Sequence, residues 1–389
     1  MDFLLVAWVS LGVLFFGVPA TYFLYMKKRS SATWNLNIKK DYLPSTAILI
    51  PAYNEEKIIR LKLENLAKVV YPQDKMEIIV LNDCSTDNTV SEVNQYIANN
   101  PSQKISVFDS KEHLGKTGCL NIVLKNIKAD VVIISDADCF WQHDILGKAL
   151  SYLSDPNVGA ITGREYLLNP QDTWVTLGEQ LYDNTVQAIR IGESKLHSTI
   201  FFQGGFAAYK RSVLDEFNHA TDDSGTALDI VQRSKRAILI PEIGFFTISP
   251  TVWRNKISIK IRRASHLQKL WARCLNLLVH GKLSMPKRIA VPEIFLHIFN
   301  PLVLVALGVL SVLVGVEYPL LGLALTAMVC AVFVVKRTRT TALELIQNNL
   351  ILLTALSSFV TNRKFKLWKP IQESRFVLSE KVLKDKKLI

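Results

Sequence analysis

The sequence predicts a doubly wound α/β domain with a mostly parallel sheet, flanked by apolar helices able to span a membrane. Three observations predict it. Short apolar strands alternate with helical stretches from residue 45 to about 250. Three of those strands end in clusters of carboxylates. Long uncharged runs lie on both sides of this region, in a chain that is 49% hydrophobic yet 21% charged.

The first element is the uncharged run 3–26, "FLLVAWVSLGVLFFGVPATYFLYM". At ~1.5 Å per residue it is long enough for a bilayer core of roughly 30 Å. A cleaved signal peptide would begin with positive charge and offer a small-residue cleavage site. Here the start is "MDF" and the charges follow the run as Lys27, Lys28 and Arg29, so a retained anchor with these three in the cytoplasm is expected.

The middle elements follow in order. "TAILIP" is a strand, then a helix runs from about 55 to 70. "EIIVLND" is a strand, then a helix runs from about 88 to 99. "KISVFDS" is a strand, and "KTGCLNIVLKNIK" a helix whose Leu120, Val123, Leu124 and Ile127 fall on one face. "VVIIS" and "VGAITGRE" are further strands.

Near the C-terminus, 294–316 and 318–335 read as a membrane hairpin turning at Glu317 to Pro319, and "KRTR" (336–339) returns it to the cytoplasm. The run 341–360 carries Glu344, Gln347, Asn348 and Asn349. Spanning would put the Lys-rich tail outside, so an interfacial or re-entrant helix is expected instead. The domains expected are a transmembrane helix at 1–26, a cytoplasmic catalytic domain at 27–285 with interfacial helices near its end, a transmembrane hairpin at 286–336, and an interfacial helix with a basic tail at 337–389.

The net charge of +12 gathers near the membrane segments, at 27–40, 254–273, 336–339 and 363–387. Anionic membrane lipids are the partner this suits. Nucleic acid is not expected, because no nucleic-acid motif accompanies the charge. The five cysteines form no CxxC pair, which points away from a zinc site or a disulfide framework.

In parallel sheets of this kind ligands bind beyond the carboxyl ends of the strands. Those ends read "PAYNEE" (51–56), "NDCSTDNT" (82–89) and "SDADC" (135–139). Acidic caps and turns explain one such end, but three on one rim would repel unless a cation or sugar hydroxyls relieved them. Mg²⁺ and Mn²⁺ take carboxylates together with phosphate oxygens, which suits Asp136 and Asp138 holding a nucleoside diphosphate. Phosphatases with an Asp nucleophile also carry DxD, but early in the chain and before a Thr-containing turn, unlike "DADCF".

"PAYNEE", "NDCSTDNT", "GKTGCLN" (115–121) and "SDADC", followed by "GGFAAYKRSVL" (204–214) and "TDDSGTALDIVQRSKRAILIPE" (221–242), resemble in order and spacing the family 2 glycosyltransferases of the GT-A fold. The last stretch is similar to the "TED" segment of membrane-bound polysaccharide synthases such as cellulose, chitin and hyaluronan synthases. The resemblance covers residues 46 to about 273. It implies that Ala52, Tyr53 and Glu55 line a nucleobase and ribose pocket, that Asp83 reads the base or ribose, and that Lys116 sits near the nucleotide. It implies that Asp136 contacts the nucleotide, that Asp138 ligates Mg²⁺ or Mn²⁺, and that Asp223 is the base that takes the acceptor's proton. Asp222 or Asp223 could equally serve as a helix cap, and Lys116 as a solvated Lys at a helix start.

Two departures matter. "TED" is here "TDD", with Asp222 in place of Glu. The processive "QxxRW" motif is not restored in "SIKIRRASHLQKLWARC" (258–274). Arg262 and Arg263 suit a diphosphate or a headgroup surface, and Trp271 suits an acceptor path or an interfacial anchor. The expected function is therefore inverting, metal-dependent transfer from a nucleotide-sugar, with UDP as the expected nucleotide, to a hydroxyl acceptor at the cytoplasmic membrane face. Polysaccharide synthase-like action is the first reading, single addition to a membrane lipid (polyprenyl phosphate or glycolipid) the second, and an inactive nucleotide-sugar-binding scaffold the third; a glycan or lipid acceptor is the partner the first two require.

Overall fold

The structure is a computed structural model that describes residues 2–170, 173–360, 378 and 380–389. Most of the basic tail expected at 363–387 lies outside the described residues. The chain divides into two compact units, Met1–Lys28 with Thr173–Ile189 and Thr251–Phe365, and Arg29–Asp172 with Arg190–Pro250 and Lys366–Ile389.

The second unit holds one eight-stranded sheet in the order β3-β2-β1-β4-β7-β6-β8-β5. Its strands are β1 (Thr46–Ala52), β2 (Met76–Asn82), β3 (Ile105–Asp109), β4 (Val131–Ile134), β5 (Phe140–Trp141), β6 (Val158–Leu167), β7 (Ala207–Lys210) and β8 (Arg236–Thr247). The pairs β1–β2, β1–β4, β2–β3 and β6–β8 are parallel. β7 is inserted antiparallel between β4 and β6, and β5 is antiparallel to β8. All four residues of β4 are buried, as a strand covered on both faces should be.

The helices Ile59–Ala67, Thr89–Asn99 and Lys116–Leu124 fall where the apolar spacing places them. The first begins later than the expected residue 55 because 54–56 are drawn into a loop. Asn54 takes φ +55°, and the amides of Asn54, Glu55 and Glu56 donate to Ser85 Oγ, Thr89 Oγ1 and Asp87 Oδ2. Those side-chain bonds compete with helix formation.

The core of this unit also takes in residues far along the chain. Leu378, Leu383 and Leu388 are buried in the same cluster as Ile58, Leu63, Val131 and Trp141. Asn65 ties this segment down, its Nδ2 donating to Leu388 O at 2.7 Å and to Trp141 O at 2.9 Å.

His197 marks a pH-dependent point of this fold. Burial, and then the Arg236 charge, hold its pKa below the ordinary 6.5. Above pH 6.5 it is neutral folded or unfolded. Below that the unfolded chain takes the proton first, so folding stability falls as the pH drops. The wild type should therefore lose more stability than His197→Gln between pH 7.5 and 5, as read by thermal or urea midpoints.

The first unit is helical. Phe3–Ser30 and Lys287–Glu317 are each long and apolar enough to cross a membrane, and Pro319–Val334 is a shorter apolar helix. The turn between Glu317 and Pro319 lies at the expected position. Trp8 Nε1 donates to Ser311 Oγ at 2.9 Å, pinning the first helix to the second. The run 341–360 is part of one unbroken helix, Lys336–Val360. Its Ile351 and Ala355 pack on Ala264 of the helix Trp253–Val279. Glu344 pairs with Lys256 at 3.1 Å, and Glu179 with Lys256 at 3.3 Å and Lys260 at 2.8 Å.

Candidate active site

The site grows from the carboxyl ends of β1, β2 and β4 together with the turn before the helix Ser224–Gln232. The Asp83 amide donates to Ala52 O at 3.0 Å, which brings the first two strand ends together. Asp83 is 4% exposed. Its Oδ1 accepts from the amides of Leu114 and Gly115 at 2.7 and 3.2 Å, and its Oδ2 lies 3.0 Å from His113 Nδ1. One carboxylate thus shapes the turn that launches the helix Lys116–Leu124, where Gly115 takes φ +76°.

Beside it, the Tyr53 and His113 rings lie 4.6 Å apart between centroids, tilted by 37°. Sequence reading found Tyr53 and missed His113, which nothing in its local pattern marks. Ala52 and Glu55, expected beside Tyr53, are 2% and 1% exposed. Burial follows from the strand pairing of Ala52 and from the Glu55 amide bond to Thr89.

Lys116 is the hub. Its Nζ lies 2.9 Å from Asp136 Oδ1, 2.5 Å from Asp222 Oδ2 and 3.7 Å from Asp223 Oδ2. Burial alone would lower its pKa, but the three carboxylates outweigh that and hold it well above its ordinary value. The solvated-Lys reading is thereby replaced. Asp223 stands at the helix N-cap position, yet its side chain makes no capping bond. Its carboxylate is directed to the cluster around Lys116 instead, so capping does not explain it.

Asp136 and Asp138 leave the end of β4 together. One ligand-type atom each from Asp136, Asp138 and Cys139 lies within 4.8 Å of the others. Two hard carboxylate oxygens at a strand end fit Mg²⁺ or Mn²⁺ better than zinc. The Cys139 thiol is buried, and burial followed by the Asp138 and Asp136 charges pushes its pKa well up. A sulfur ligand suits softer metals, so for Mg²⁺ or Mn²⁺ the two aspartates are the matching ligands.

The two glycines of "GGF" back this turn. The Asp136 amide donates to Gly204 O at 2.7 Å, and Trp141 Nε1 to Gly205 O at 2.7 Å. A Cβ on Gly204 would run into the Asp136 carboxylate. Gly204→Ala should therefore displace Asp136 and lower kcat/KM by about 10²-fold, the scale of a misplacement near 1 Å. Nucleoside diphosphate release, with circular dichroism as the folding control, checks it.

Arg262, Arg263 and Trp271 lie on the helix Trp253–Val279 of the other unit. Trp271 is 0% exposed and stacked on His297 at 5.8 Å. The ring is thus packed inside its own helical unit. Arg263 is exposed and Arg262 half-buried.

Residues 47–217 match the family described as Glycosyl transferase family 2. They are a family 2 glycosyltransferase domain. A probable glycosyltransferase of Bacillus subtilis, YdaM, is 31% identical to this chain over 172 residues, 43% of this chain and 40% of the relative. The β-monoglucosyldiacylglycerol synthase of Synechocystis is 30% identical over 136 residues, 35% of this chain and 28% of the relative. The chain thus spans under half the length of these curated relatives. A mannosyltransferase of Pyrobaculum calidifontis, PcManGT, solved with GDP-Man and Mn²⁺, superposes with a TM-score of 0.79 at 28% identity. That match covers 93% of this chain and all of the other. The glycosyltransferase domain therefore has the GT-A fold, with β7 as its antiparallel insertion.

Proposed function

We propose that the protein transfers one sugar from a nucleoside diphosphate sugar to a hydroxyl or phosphate oxygen of a membrane-borne acceptor, with inversion at the anomeric carbon. The observation that carries this reading is the cluster in which Lys116 joins the donor-side Asp136 to Asp222 and Asp223. It puts a metal-type carboxylate pair and a separate carboxylate in one site.

Tyr53 and His113 present an aromatic face to the nucleobase, and Asp83 keeps that loop in shape. Asp136 and Asp138 would hold Mg²⁺ or Mn²⁺, which when bound neutralises charge on the leaving diphosphate. Lys116 supplies a fixed cation beside them. With a hydroxyl acceptor, Asp223 takes the proton as the acceptor oxygen bonds to the anomeric carbon, while the bond from that carbon to the diphosphate oxygen breaks on the opposite face; an ionised phosphate oxygen attacks without needing a base. The catalytic unit works at the cytoplasmic face, with the basic residues 27–29 beside anionic lipid.

Single addition is favoured over polymer synthesis by two things. The "QxxRW" motif is missing, and Trp271 is a core residue. The fold match to a mannosyltransferase also runs across 93% of this chain, which makes GDP-Man the first donor to try, ahead of UDP-hexoses.

The test is a donor screen on the full chain in detergent, with Mn²⁺ or Mg²⁺, and with polyprenyl phosphate or diacylglycerol as acceptor. Diphosphate release should require both cation and lipid, stop on chelation by EDTA, and yield one organic-extractable glycolipid. Long labelled glycan chains would instead restore the synthase reading. An absence of release with every donor would remove the enzyme reading.

A further inference from the structure

Lys62, on the helix Ile59–Ala67, belongs to none of the motifs above, yet it lies directly behind the Asp136–Asp138 turn. Its side chain is 0% exposed. Its Nζ donates to Ser135 Oγ at 2.6 Å and to Cys139 O at 2.5 Å. The same atom lies 4.8 Å from the centroid of the Trp141 ring. Ser135 and Cys139 are the residues on either side of Asp136-Ala137-Asp138, so one ammonium grips both ends of the turn that presents the two carboxylates.

Burying an ammonium is costly, and a methionine of similar length would fill the space without that cost. Asn65, one turn along the same helix, continues the grip. Its Oδ1 accepts from the Trp141 amide at 2.7 Å and its Nδ2 donates to Trp141 O at 2.9 Å. Ser135 Oγ in turn donates to Gly205 O at 3.1 Å, which joins this anchor to the glycines that back Asp136.

We propose that Lys62 is a positioning residue for the divalent cation and the donor diphosphate. It splints the Ser135–Cys139 turn so that Asp136 and Asp138 keep their separation before any cation arrives, and its charge offsets their mutual repulsion. A turn held in this way binds metal without first having to be ordered. The proposal rests on the donor-site reading given above.

The test uses Lys62→Met and Ser135→Ala in the full chain. Mn²⁺ binding is followed by electron paramagnetic resonance with GDP or UDP present, alongside the thermal midpoint. Lys62→Met should weaken Mn²⁺ binding by about tenfold or more and raise the donor KM, while kcat at saturating Mn²⁺ stays within about threefold. Excess Mn²⁺ should therefore recover turnover, which a general loss of structure would not allow. Ser135→Ala removes one of the two anchors with little change of volume and should show a smaller shift of the same sign; it decides the matter if Lys62→Met does not fold. Folded variants that bind Mn²⁺ as tightly as the wild type would overturn the role of Lys62 alone. A wild type that binds neither nucleotide with Mn²⁺ would overturn the donor site itself, and this proposal with it.

Discussion

Asp223→Asn should lower turnover by about 10³-fold while leaving nucleoside diphosphate binding nearly unchanged, because a general base contributes on the order of 10²–10⁴ in rate. The geometry separates the two effects. Asp223 makes the longest of the three Lys116 contacts, 3.7 Å against 2.9 Å for Asp136 and 2.5 Å for Asp222. Losing its charge leaves the cluster tied by the other two. The asparagine keeps the shape and the backbone bonds, in which Asp223 O accepts from Ala227 N at 3.0 Å and from the Tyr209 hydroxyl at 3.2 Å. What it cannot do is take a proton. Steady-state diphosphate release paired with calorimetric binding of GDP and Mn²⁺ reads both numbers. Turnover within tenfold of the wild type would move the base elsewhere, and no turnover in either protein would favour the scaffold reading.

Lys116→Met should cost about 10²–10³ in kcat/KM, the scale seen when one preorganised donor is removed from a charge-stabilising site. Here binding should suffer along with turnover. The ammonium is the ion-pair partner of three carboxylates, and without it Asp136, Asp222 and Asp223 face one another with no cation between them. Because those carboxylates hold the Lys116 pKa well above its ordinary value, it stays a cation throughout the neutral and mildly alkaline range. The wild type should accordingly show no loss of activity from this group up to about pH 10, the ordinary lysine value. Lys116→Arg keeps the charge and should recover part of the activity. A donor KM unchanged in Lys116→Met would remove Lys116 from the site.

Strands β1 to β4, β6 and the acidic rim were legible because each depends on local information. An apolar run of four to seven residues that ends in carboxylates says both where a strand lies and which end carries the ligand. The turn at Glu317–Pro319 was legible for a similar reason, since charge and proline both interrupt apolar helix. β8, β7 and the short β5 were not. "AAYK" has no alternation, and its place between β4 and β6 depends on pairing with strands more than 40 residues away. Nothing in the sequence singles out Lys62, because a pattern of apolar positions cannot show that one charged residue points inward at a distant loop. His113 and the hub role of Lys116 likewise arise only once β2, β4 and the turn before Ser224 are brought together. The burial of Trp271 was not legible either, because its basic neighbours suggest a surface.

The insertion of Leu378, Leu383 and Leu388 into the core of the sheet unit sets an order for biogenesis. Strands β1 to β8 are all translated by residue 247, but the rear of their core stays open until residues 378–388 emerge. The intervening 251–360, with its apolar helices, is made in between, and at typical synthesis rates that takes on the order of ten seconds. For that time the nascent sheet carries an uncovered apolar face. The newborn protein therefore depends on a holding chaperone or on membrane targeting that keeps pace with translation, and a stall between 251 and 377 should send it to proteolysis rather than leave a soluble catalytic fragment.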